Sequence, residues 1–219
     1  MIVTIDGPAG TGKSTVARRL AKELNFDFLD TGAMYRMLAL KALRQGTDFD
    51  SSDALAELAE QTSVDFEEGV PMLDGEPVGR EIRTSEVSRA ASFVARIPEV
   101  RQILVEWQRN YADGRDIVCE GRDQGTVAFP IAECKFFLTA SPDERARRRL
   151  SDLEDQGISA NYDDLLQEQI ERDERDLNRP VSPLKAAEDA MTIDTTELSV
   201  VDVIEQLRGI VQQRMSQSA

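Results

Sequence analysis

The chain has 219 residues, 41% of them hydrophobic, which is enough for one core of good size with a small insertion. A formal net charge of −15 argues against binding nucleic acid over a broad surface, and the absence of histidine removes the usual hydrolase triads and most zinc sites. No apolar run reaches the length of about 18 residues that a membrane span needs, and the first strand starts at Ile2, so we expect a cytoplasmic protein.

Five short apolar segments predict buried strands, and helical patterns lie between them. The strands are predicted at 2–6, 26–30, 116–119, 135–139 and 190–194. The helices are predicted at 13–24, 33–45, 52–61, 84–96, 98–111, 142–155, 161–178 and 199–215. This alternation indicates a parallel sheet covered on both faces, in which ligands bind at the carboxyl ends of the strands. Four of the five strands run into an acidic residue at that end: Asp6, Asp30, Glu120 and Asp194.

One stretch, residues 63–84, breaks the alternation. It contains Asp74-Gly75 between short extended runs, which is a strong signal for a β-hairpin. We therefore expect a small antiparallel insertion between the second and third core strands, within a single domain.

The cysteine and arginine contents carry weaker signals. Cys119 and Cys134 lie in or beside apolar strands and are expected to be buried, reduced thiols. There are 21 arginines against five lysines, and the planar guanidinium suits phosphate and carboxylate. This bias suggests a small anionic ligand in a defined cleft, with compositional bias of the source genome as the alternative.

The segment GPAGTGKS at residues 7–14 matches the phosphate-binding P-loop pattern G-x-x-x-x-G-K-[ST]. Its glycines let backbone amides curl around phosphate oxygens, and the following helix adds its positive N-terminal end. Lys13 is placed to reach the β- and γ-phosphates, and the Ser14 hydroxyl to ligate Mg²⁺. The predicted ATP-binding residues are Gly7, Pro8, Ala9, Gly10, Thr11, Gly12, Lys13, Ser14 and Thr15.

Other motifs narrow the kind of P-loop protein. No asparagine is followed by lysine, so the guanine-reading N-K-x-D of GTPase switches is missing, and the third strand ends in the single acid Glu120 rather than the Asp-Glu of many ATPase motors. The chain instead carries a second set of phosphate-seeking groups. Phosphoryl transfer to an acceptor is therefore favoured.

The second set begins after the second strand, in DTGAMYR. Thr31 is predicted to cap the next helix, with Arg36 in the first turn, where an anion is favoured; an ordinary capped helix is the alternative. After the third strand, Arg122 and Asp123 stand at the carboxyl edge of the sheet, where each charge needs a ligand or partner.

Two later segments concentrate arginine on helix faces. Ser141, Pro142 and Glu144 predict a helix start, after which Arg145, Arg148 and Arg149 share a face. A second face is formed by Arg172, Arg175 or Asp176, and Arg179. Solvated salt-bridged helices are one interpretation. With a P-loop upstream, we favour a mobile lid that closes cations over the phosphates and shuts out water.

The segments TIDGPAGTGKST, LDTGAMYR, EIRTSEVSRAAS, EGRDQGTVAFP and ERDERDLNR together resemble the bacterial cytidylate kinases, over essentially the whole chain and in the same order. The resemblance implies the three-layer α/β fold of P-loop nucleoside monophosphate kinases, with a five-stranded parallel sheet, the antiparallel insertion 63–84 and a helical lid. It implies a core of 1–30 and 112–219, a monophosphate-binding region of 31–111 and a lid at about 148–176.

The same resemblance implies roles for individual residues. The acceptor phosphate would be bound by Thr31, Arg36, Arg122 and Arg179. The cytosine base would be read by Ser92, Arg101 and Asp123, and the sugar would be held by Arg172 and Asp176. Two positions depart from the usual pattern: Thr31 replaces a common serine and keeps the hydroxyl, and Glu120 replaces a common aspartate, so its water-mediated contact to Mg²⁺ is the least secure role.

The implied activity is ATP-dependent phosphorylation of CMP and dCMP, with Mg²⁺ as cofactor and a monomeric protein. The catalytic residues would be Lys13, Arg148, Arg149, Arg172 and Arg179. Two alternatives stay open: a kinase for another acceptor such as UMP, AMP or shikimate, and a non-catalytic sensor that binds ATP and signals by lid closure.

Overall fold

The computed structural model describes residues 1–155, 157–179 and 181–218, which form two compact units. The first unit comprises Met1–Leu29 and the chain from Arg115 onward, and the second comprises Asp30–Gly114. None of the helices within the described ranges has the length and apolar character needed to cross a membrane.

The strands and helices lie close to the predicted positions. In chain order the strands are β1 (Ile2–Asp6), β2 (Asp27–Asp30), β3 (Val64–Glu67), β4 (Val70–Leu73), β5 (Glu76–Pro77), β6 (Ile117–Glu120), β7 (Cys134–Thr139) and β8 (Met191–Asp194). The helices are α1 (Lys13–Leu24), α2 (Thr31–Gln45), α3 (Ser52–Glu60), α4 (Ser85–Val94), α5 (Pro98–Ala112), α6 (Pro142–Glu154), α7 (Tyr162–Leu177) and α8 (Val200–Ser218). The predicted α/β fold class is confirmed.

A five-stranded parallel sheet in the order β2-β6-β1-β7-β8 is the centre of the first unit. Strand β1 lies in the middle, paired with β6 on one side and β7 on the other. The chain order reverses direction across β1, and such a reversal opens a crevice at the carboxyl ends of the strands. The loop after β1 and the turn after β6 therefore emerge side by side.

The two faces of this sheet differ in character because side chains alternate along a strand. Val3 and Ile5 belong to the apolar core that α1 and α8 cover, together with Val118, Phe136 and other buried side chains. Thr4 and Asp6 alternate with them and occupy the opposite face. Lys135, which pairs in register with Thr4, is also on that face. One side of β1 is thus apolar and the other is polar and buried.

Lys135 is a buried cation with a complete set of partners. Its Nζ donates to both carboxylate oxygens of Asp189, at 2.8 and 2.9 Å, and to the Pro130 carbonyl at 2.5 Å. A buried charge is tolerated when it is paired and hydrogen-bonded in this way. The contact fastens the segment before β8 to the start of β7.

The second unit combines α2–α5 with a three-stranded antiparallel sheet, β3-β4-β5. Asp74-Gly75 forms the turn between β4 and β5, with φ of 52° and 82°, which confirms the predicted hairpin. Glu68-Gly69 makes a second turn of the same kind between β3 and β4, with φ of 50° and 80°, and was not predicted. Positive φ at both central residues matches the twist of a two-residue hairpin.

The helix starts include one correction. The carboxylate of Asp30 accepts the Ala33 amide at 2.8 Å and caps α2, so the prediction that Thr31 is the cap is wrong. Thr31 is instead the first helical residue. The predicted start of α6 is confirmed, since Ser141 accepts the Glu144 amide at 3.2 Å.

Both cysteines are free and buried, as expected. Burial raises the pKa of the Cys119 thiol well above its ordinary value. This cysteine is therefore protonated and inert under ordinary conditions.

Two glycine substitutions should change stability in opposite directions. Alanine at Gly7 would place a Cβ 2.0 Å from the Leu138 carbonyl oxygen at a φ of +140°, so G7A is expected to lower the free energy of unfolding by at least about 2 kcal/mol. Gly209 is exposed within α8, and a Cβ there meets nothing within 4 Å. G209A should therefore raise the free energy of unfolding by about 0.5–1 kcal/mol. Urea unfolding followed by circular dichroism measures both, and equal stability of G7A and the wild type would contradict the strand contact.

Candidate active site

The loop between β1 and α1 contains three glycines with positive φ, each in a different setting. Gly7 lies against the backbone of β7, as described above. At Gly10 (φ +80°) a Cβ would meet the Arg145 Cβ at 3.0 Å, whereas at Gly12 (φ +84°), the N-cap of α1, it would meet nothing within 4 Å. At Gly7, therefore, the group that comes too close for a side chain is the backbone of the neighbouring strand β7.

Helix α1 begins directly after this loop and leaves its first amides facing the loop. Its first turn contains no acidic side chain. The exposed N–H groups and the helix dipole together favour an anion at this position.

Lys13, the first residue of α1, is buried and folds back over the loop. Its Nζ donates to the Pro8 carbonyl at 2.6 Å. Burial, reinforced by the positive charges of Arg122 and Arg172, lowers the pKa of Lys13 to about 7, against the opposing effect of Glu120 and Asp6. An anion near Nζ would restore its charged form.

Ser14 and Glu120 bring two oxygen ligands together. The Ser14 hydroxyl donates to Glu120 Oε1 at 2.7 Å, which joins the start of α1 to the end of β6. A hydroxyl and a carboxylate are the hard oxygen donors that Mg²⁺ prefers, and Mg²⁺ in nucleotide sites is held by one or two such groups together with phosphates. The pair fits a magnesium ion.

Asp176 on α7 is the centre of an arginine cluster. Arg122 Nε donates to its Oδ2 at 3.0 Å, and Arg179 Nη2 lies 3.7 Å from its Oδ1. Burial alone would raise the pKa of Asp176, but Arg122, Arg179 and Arg172 outweigh it and hold that pKa below its ordinary value. Burial would likewise lower the pKa of Arg122, but Asp176 and Glu120 outweigh it and raise it. The charges of this cluster persist across the physiological pH range.

Asp123 follows Arg122 and is buried at the start of a short π-helix, Gln124–Ala128. Its carbonyl accepts the Val127 amide at 2.8 Å and the Ala128 amide at 3.3 Å. Burial raises the pKa of Asp6, and the nearby negative charge of Asp123 adds to that rise. The turn thus presents a guanidinium and a carboxylate on consecutive residues.

Arg145, Arg148 and Arg149 share one face of α6, as their spacing predicts, but they differ in burial. Arg145 is only 2% exposed: Nη1 donates to the Ala9 carbonyl at 3.1 Å, and the guanidinium forms a two-point ion pair with Asp173 of α7. Arg145 is therefore a buried, internal member of the predicted face rather than a solvated one. A planar guanidinium can satisfy a carbonyl and a carboxylate at once, so Arg145 ties the P-loop to α7.

Arg148 contacts the loop region through Thr195. Its Nη2 donates to the Thr195 carbonyl at 2.6 Å, and its Nε to Glu144 at 3.0 Å. The Thr195 hydroxyl lies 3.4 Å from the Thr11 carbonyl of the P-loop. Arg149 is exposed on the next position of the helix.

In the second unit, Asp30 pairs with two arginines. Arg36 Nη2 lies 3.2 and 3.3 Å from its two carboxylate oxygens, and Arg83 Nη2 lies 3.5 Å from Oδ2. A Cβ on Gly32 would lie 2.9 Å from Arg36 Nη1, so this glycine leaves room for the guanidinium. The buried Arg36 Nε forms no hydrogen bond within the described part of the chain.

Ser92 and Arg101 lie on α4 and α5 of the second unit. The Ser92 hydroxyl donates to the Ser88 carbonyl of its own helix at 3.2 Å. Arg101 is buried, with Nη1 donating to the Ala95 carbonyl at 3.2 Å and its guanidinium 5.6 Å from the centre of the Tyr35 ring. A guanidinium over an aromatic face is held in a fixed plane.

The first unit brings most of the predicted donor and arginine residues within electrostatic reach of one another. These are Lys13, Ser14, Glu120, Arg122, Asp123, Arg172, Asp176 and Arg179. The other predicted P-loop positions, together with Arg148 and Arg149, also lie in the first unit, whereas Thr31, Arg36, Ser92 and Arg101 belong to the second unit.

Sequence reasoning missed Asp6, Arg83 and Thr195. The sequence marks Asp6 only as the end of a strand. Arg83 lies in the segment EIRTSEVSRAAS, which predicts no role for it, and Thr195 follows the last strand. Their contacts join residues far apart in the chain, which local patterns do not reveal. The one local signal was that Asp6 and Asp194 end strands at the ligand-binding edge.

Solved structures with a similar fold include kinases. Shikimate kinase from Bacteroides thetaiotaomicron matches with a TM-score of 0.51 at 14% identity, over 97% of this chain and 98% of its own. An uncharacterized protein from Eubacterium ventriosum matches with a TM-score of 0.54, also at 14% identity, over 99% and 98%. Such low identities establish the shared fold alone.

Sequence relatives are much closer. The cytidylate kinase of Vibrio cholerae is 49% identical over 98% of this chain and 97% of its own length. That of Caldanaerobacter subterraneus subsp. tengcongensis is 47% identical over 94% and 92%. A family model for cytidylate kinase matches residues 3–213. With the P-loop, the Ser14–Glu120 pair and the arginine cluster in place, the chain belongs to the cytidylate kinase family.

Proposed function

We propose that this chain transfers the γ-phosphoryl group of ATP to CMP and dCMP, giving the diphosphates and ADP. The observation that carries the proposal is the grouping of Lys13, Arg122, Arg172 and Asp176 within one charged cluster beside the P-loop. Phosphoryl transfer depends on positioning and on positive charge around the moving group, and this cluster supplies both.

On the donor side, loop amides and the start of α1 would cradle the phosphates of ATP, with Lys13 at the β- and γ-phosphates. Ser14 would ligate Mg²⁺ directly, with Glu120 contacting it through water. When bound, the ion would neutralise charge on the β- and γ-oxygens. The Ser14 hydroxyl and the Glu120 carboxylate lie 2.7 Å apart, which supports a shared role at the ion.

On the acceptor side, the phosphate of CMP would be held by guanidinium groups and a hydroxyl: Arg36, Arg122, Arg179 and Thr31. The Arg36 Nε, buried with no hydrogen bond in the described part of the chain, has a donor to offer. The sugar would contact Arg172 and Asp176. Asp176 would exchange part of its arginine contact for the sugar hydroxyl.

The cytosine base would be read by Asp123, Arg101 and Ser92. Cytosine presents an amino donor beside ring acceptors, which suits a carboxylate and a guanidinium. Uracil has an acceptor where cytosine has the amino group, so a buried Asp123 would face an acceptor. Such a mismatch costs about 1–3 kcal/mol, and UMP should be the poorer substrate.

The chemistry needs no general base, because the attacking group is a phosphate oxygen that is already anionic near neutral pH. Lys13, Arg172, Arg179 and an arginine of α6, Arg148 or Arg149, would stabilise the charge that spreads over the transferring phosphoryl. Closure of a lid formed by residues about 148–176 would exclude water and suppress hydrolysis of ATP.

An acceptor panel tests the proposal. Purified protein with ATP and Mg²⁺ should convert CMP and dCMP to diphosphates, UMP more slowly and AMP or shikimate hardly at all, as measured by coupled ADP release and chromatography. Release of ADP without a diphosphate product, or a better rate with AMP than with CMP, would reject the assignment. Binding of ATP and CMP without turnover would favour a nucleotide sensor.

Asp123→Ala should act selectively on the base. Removing the carboxylate deletes the acceptor for the cytosine amino group, so kcat/KM for CMP should fall by about 10- to 100-fold while that for UMP changes little. Steady-state kinetics with both substrates on one preparation give the comparison, with UMP as the internal control. Equal losses for the two would show that Asp123 does not read the base.

Lys13→Met should abolish activity and yet stabilise the fold. The pKa of Lys13 falls from 10.5 to about 7 on folding. Burying the charged form therefore lowers the free energy of unfolding, fully below pH 7, and this loss fades as the pH rises towards 10.5. Methionine keeps the stem and removes the charge. Unfolding in urea should show a gain of at least about 1 kcal/mol at pH 7 that shrinks at pH 9.

The kinetic side of that variant has a separate control. Turnover of Lys13→Met should drop by at least about a hundredfold, because the cation at the transferring phosphoryl is lost. Lys185→Met, on an exposed position of the segment before β8, should leave turnover unchanged. Full activity of Lys13→Met would disprove the assigned role.

A further inference from the structure

Asp6 is a buried carboxylate that none of the proposed chemistry uses. It is the last residue of β1, directly before Gly7 of the P-loop, and it is 4% exposed. Its Oδ1 accepts the backbone amide of Gln124 at 2.9 Å, and its Oδ2 accepts that of Gly125 at 2.8 Å. Each oxygen of one carboxylate thus binds a consecutive amide of a segment about a hundred residues away.

Those two amides open the π-helix that follows Asp123. The first amides of a helix have no partner within it and are usually satisfied by the side chain of the capping residue. Here Asp123 is in the capping position, and its side chain makes no such hydrogen bond. Asp6 therefore supplies the cap from a different strand.

The same strand also fixes the other side of the turn. The Gly121 amide donates to the Ile5 carbonyl at 3.1 Å, extending the pairing of β1 with β6 by one step. Residues 5 and 6 of β1 thus hold residue 121 through backbone, and residues 124 and 125 through the Asp6 side chain. The two residues between these anchors are Arg122 and Asp123.

The Asp6 carboxylate is retained at an energetic penalty. Burial raises its pKa to about 6, even though the two amides and Lys13 pull in the opposite direction. Ionisable groups perturbed in this way concentrate at functional sites. A neutral amide side chain of the same size could not replace it, because its NH₂ group would face one of the two N–H donors.

We propose that Asp6 is a positioning residue for acceptor selection, which fixes Arg122 and Asp123 relative to the first residue of the P-loop. The proposal rests on the proposed function, in which Arg122 binds the acceptor phosphate and Asp123 the base. Asp6 itself contacts neither substrate. Its effect is to fix the position of the Asp123 carboxylate, which is proposed to bind the base.

The test compares Asp6→Asn with Thr4→Val. Thr4 lies on the same strand and face, its hydroxyl is 3.0 Å from where a Cβ on Gly125 would lie, and that hydroxyl forms no hydrogen bond in the described part of the chain. Valine keeps its shape, so T4V perturbs the packing under the turn without touching the two amide contacts. The readout is the ratio of kcat/KM for CMP to that for UMP, with melting temperature measured alongside.

In Asp6→Asn the ratio of CMP to UMP should fall at least about tenfold, because Asp123 is no longer held in place. The T4V ratio should stay within twofold of the wild type. A fall in kcat/KM for both substrates with their ratio unchanged would overturn the proposal, because a purely structural role affects CMP and UMP equally. An equal drop in T4V would overturn it as well.

A second variant and a second measurement cover the case in which Asp6→Asn does not fold. Asp6→Glu keeps the charge and both oxygens but displaces them by one methylene, and should also lower the ratio. In the wild type, hydrogen exchange should find the Gln124 and Gly125 amides among the slowly exchanging ones. Rapid exchange of these two amides would refute the clamp without any variant.

Failure of the proposed function is distinguishable from failure of this inference. If the wild type forms no CDP, the function is wrong whatever the amides show. If the wild type prefers CMP to UMP, and Asp6→Glu keeps both that preference and the wild-type melting temperature, only the proposed role of Asp6 is wrong.

Discussion

Burial of opposite charges at the carboxyl ends of β1 and β6 is the constraint on which the site depends. Lys13 experiences the positive charges of Arg122 and Arg172 and the opposing negative charges of Glu120 and Asp6. Removing the Glu120 carboxylate would leave the buried cations Lys13 and Arg122 with less compensation, which is costly, whereas the Lys13 charge is itself held at a penalty. A site that binds highly charged nucleotides must hold such charges ready, so it is less stable than an apolar edge would be.

The P-loop shows how one motif combines requirements of different origin. Gly7 is demanded by the backbone of β7, Gly10 lies against the stem of Arg145, and Gly12 provides the left-handed cap of α1. Only the last of these leaves open space beside it. The phosphate-binding shape of the loop is thus partly imposed by the neighbouring strand and by α6.

The sequence predicts the strands and helices well because their hydrophobic periods are strong and local. The turn at Asp74-Gly75 was equally visible, since both residues tolerate positive φ. The predicted cap of α2 was wrong by one residue because adjacent aspartate and threonine can both cap a helix, and only the structure shows which oxygen meets the Ala33 amide. The roles of Asp6 and Arg145 were out of reach, because their partners lie 118 and 28 residues away along the chain.

The abundance of arginine acquires two distinct meanings once its partners are known. Arg145 uses its fork to join a loop carbonyl to a carboxylate on another helix, which is a purely internal task. Arg122 and Arg179 share Asp176, the carboxylate that we propose contacts the sugar. The difference lies in what the contacts join: Arg145 bridges two different groups, the Ala9 carbonyl and the Asp173 carboxylate, whereas Arg122 and Arg179 gather on one carboxylate, that of Asp176. The same residue type can therefore build the framework and also form the charged cluster in which we propose that the acceptor binds.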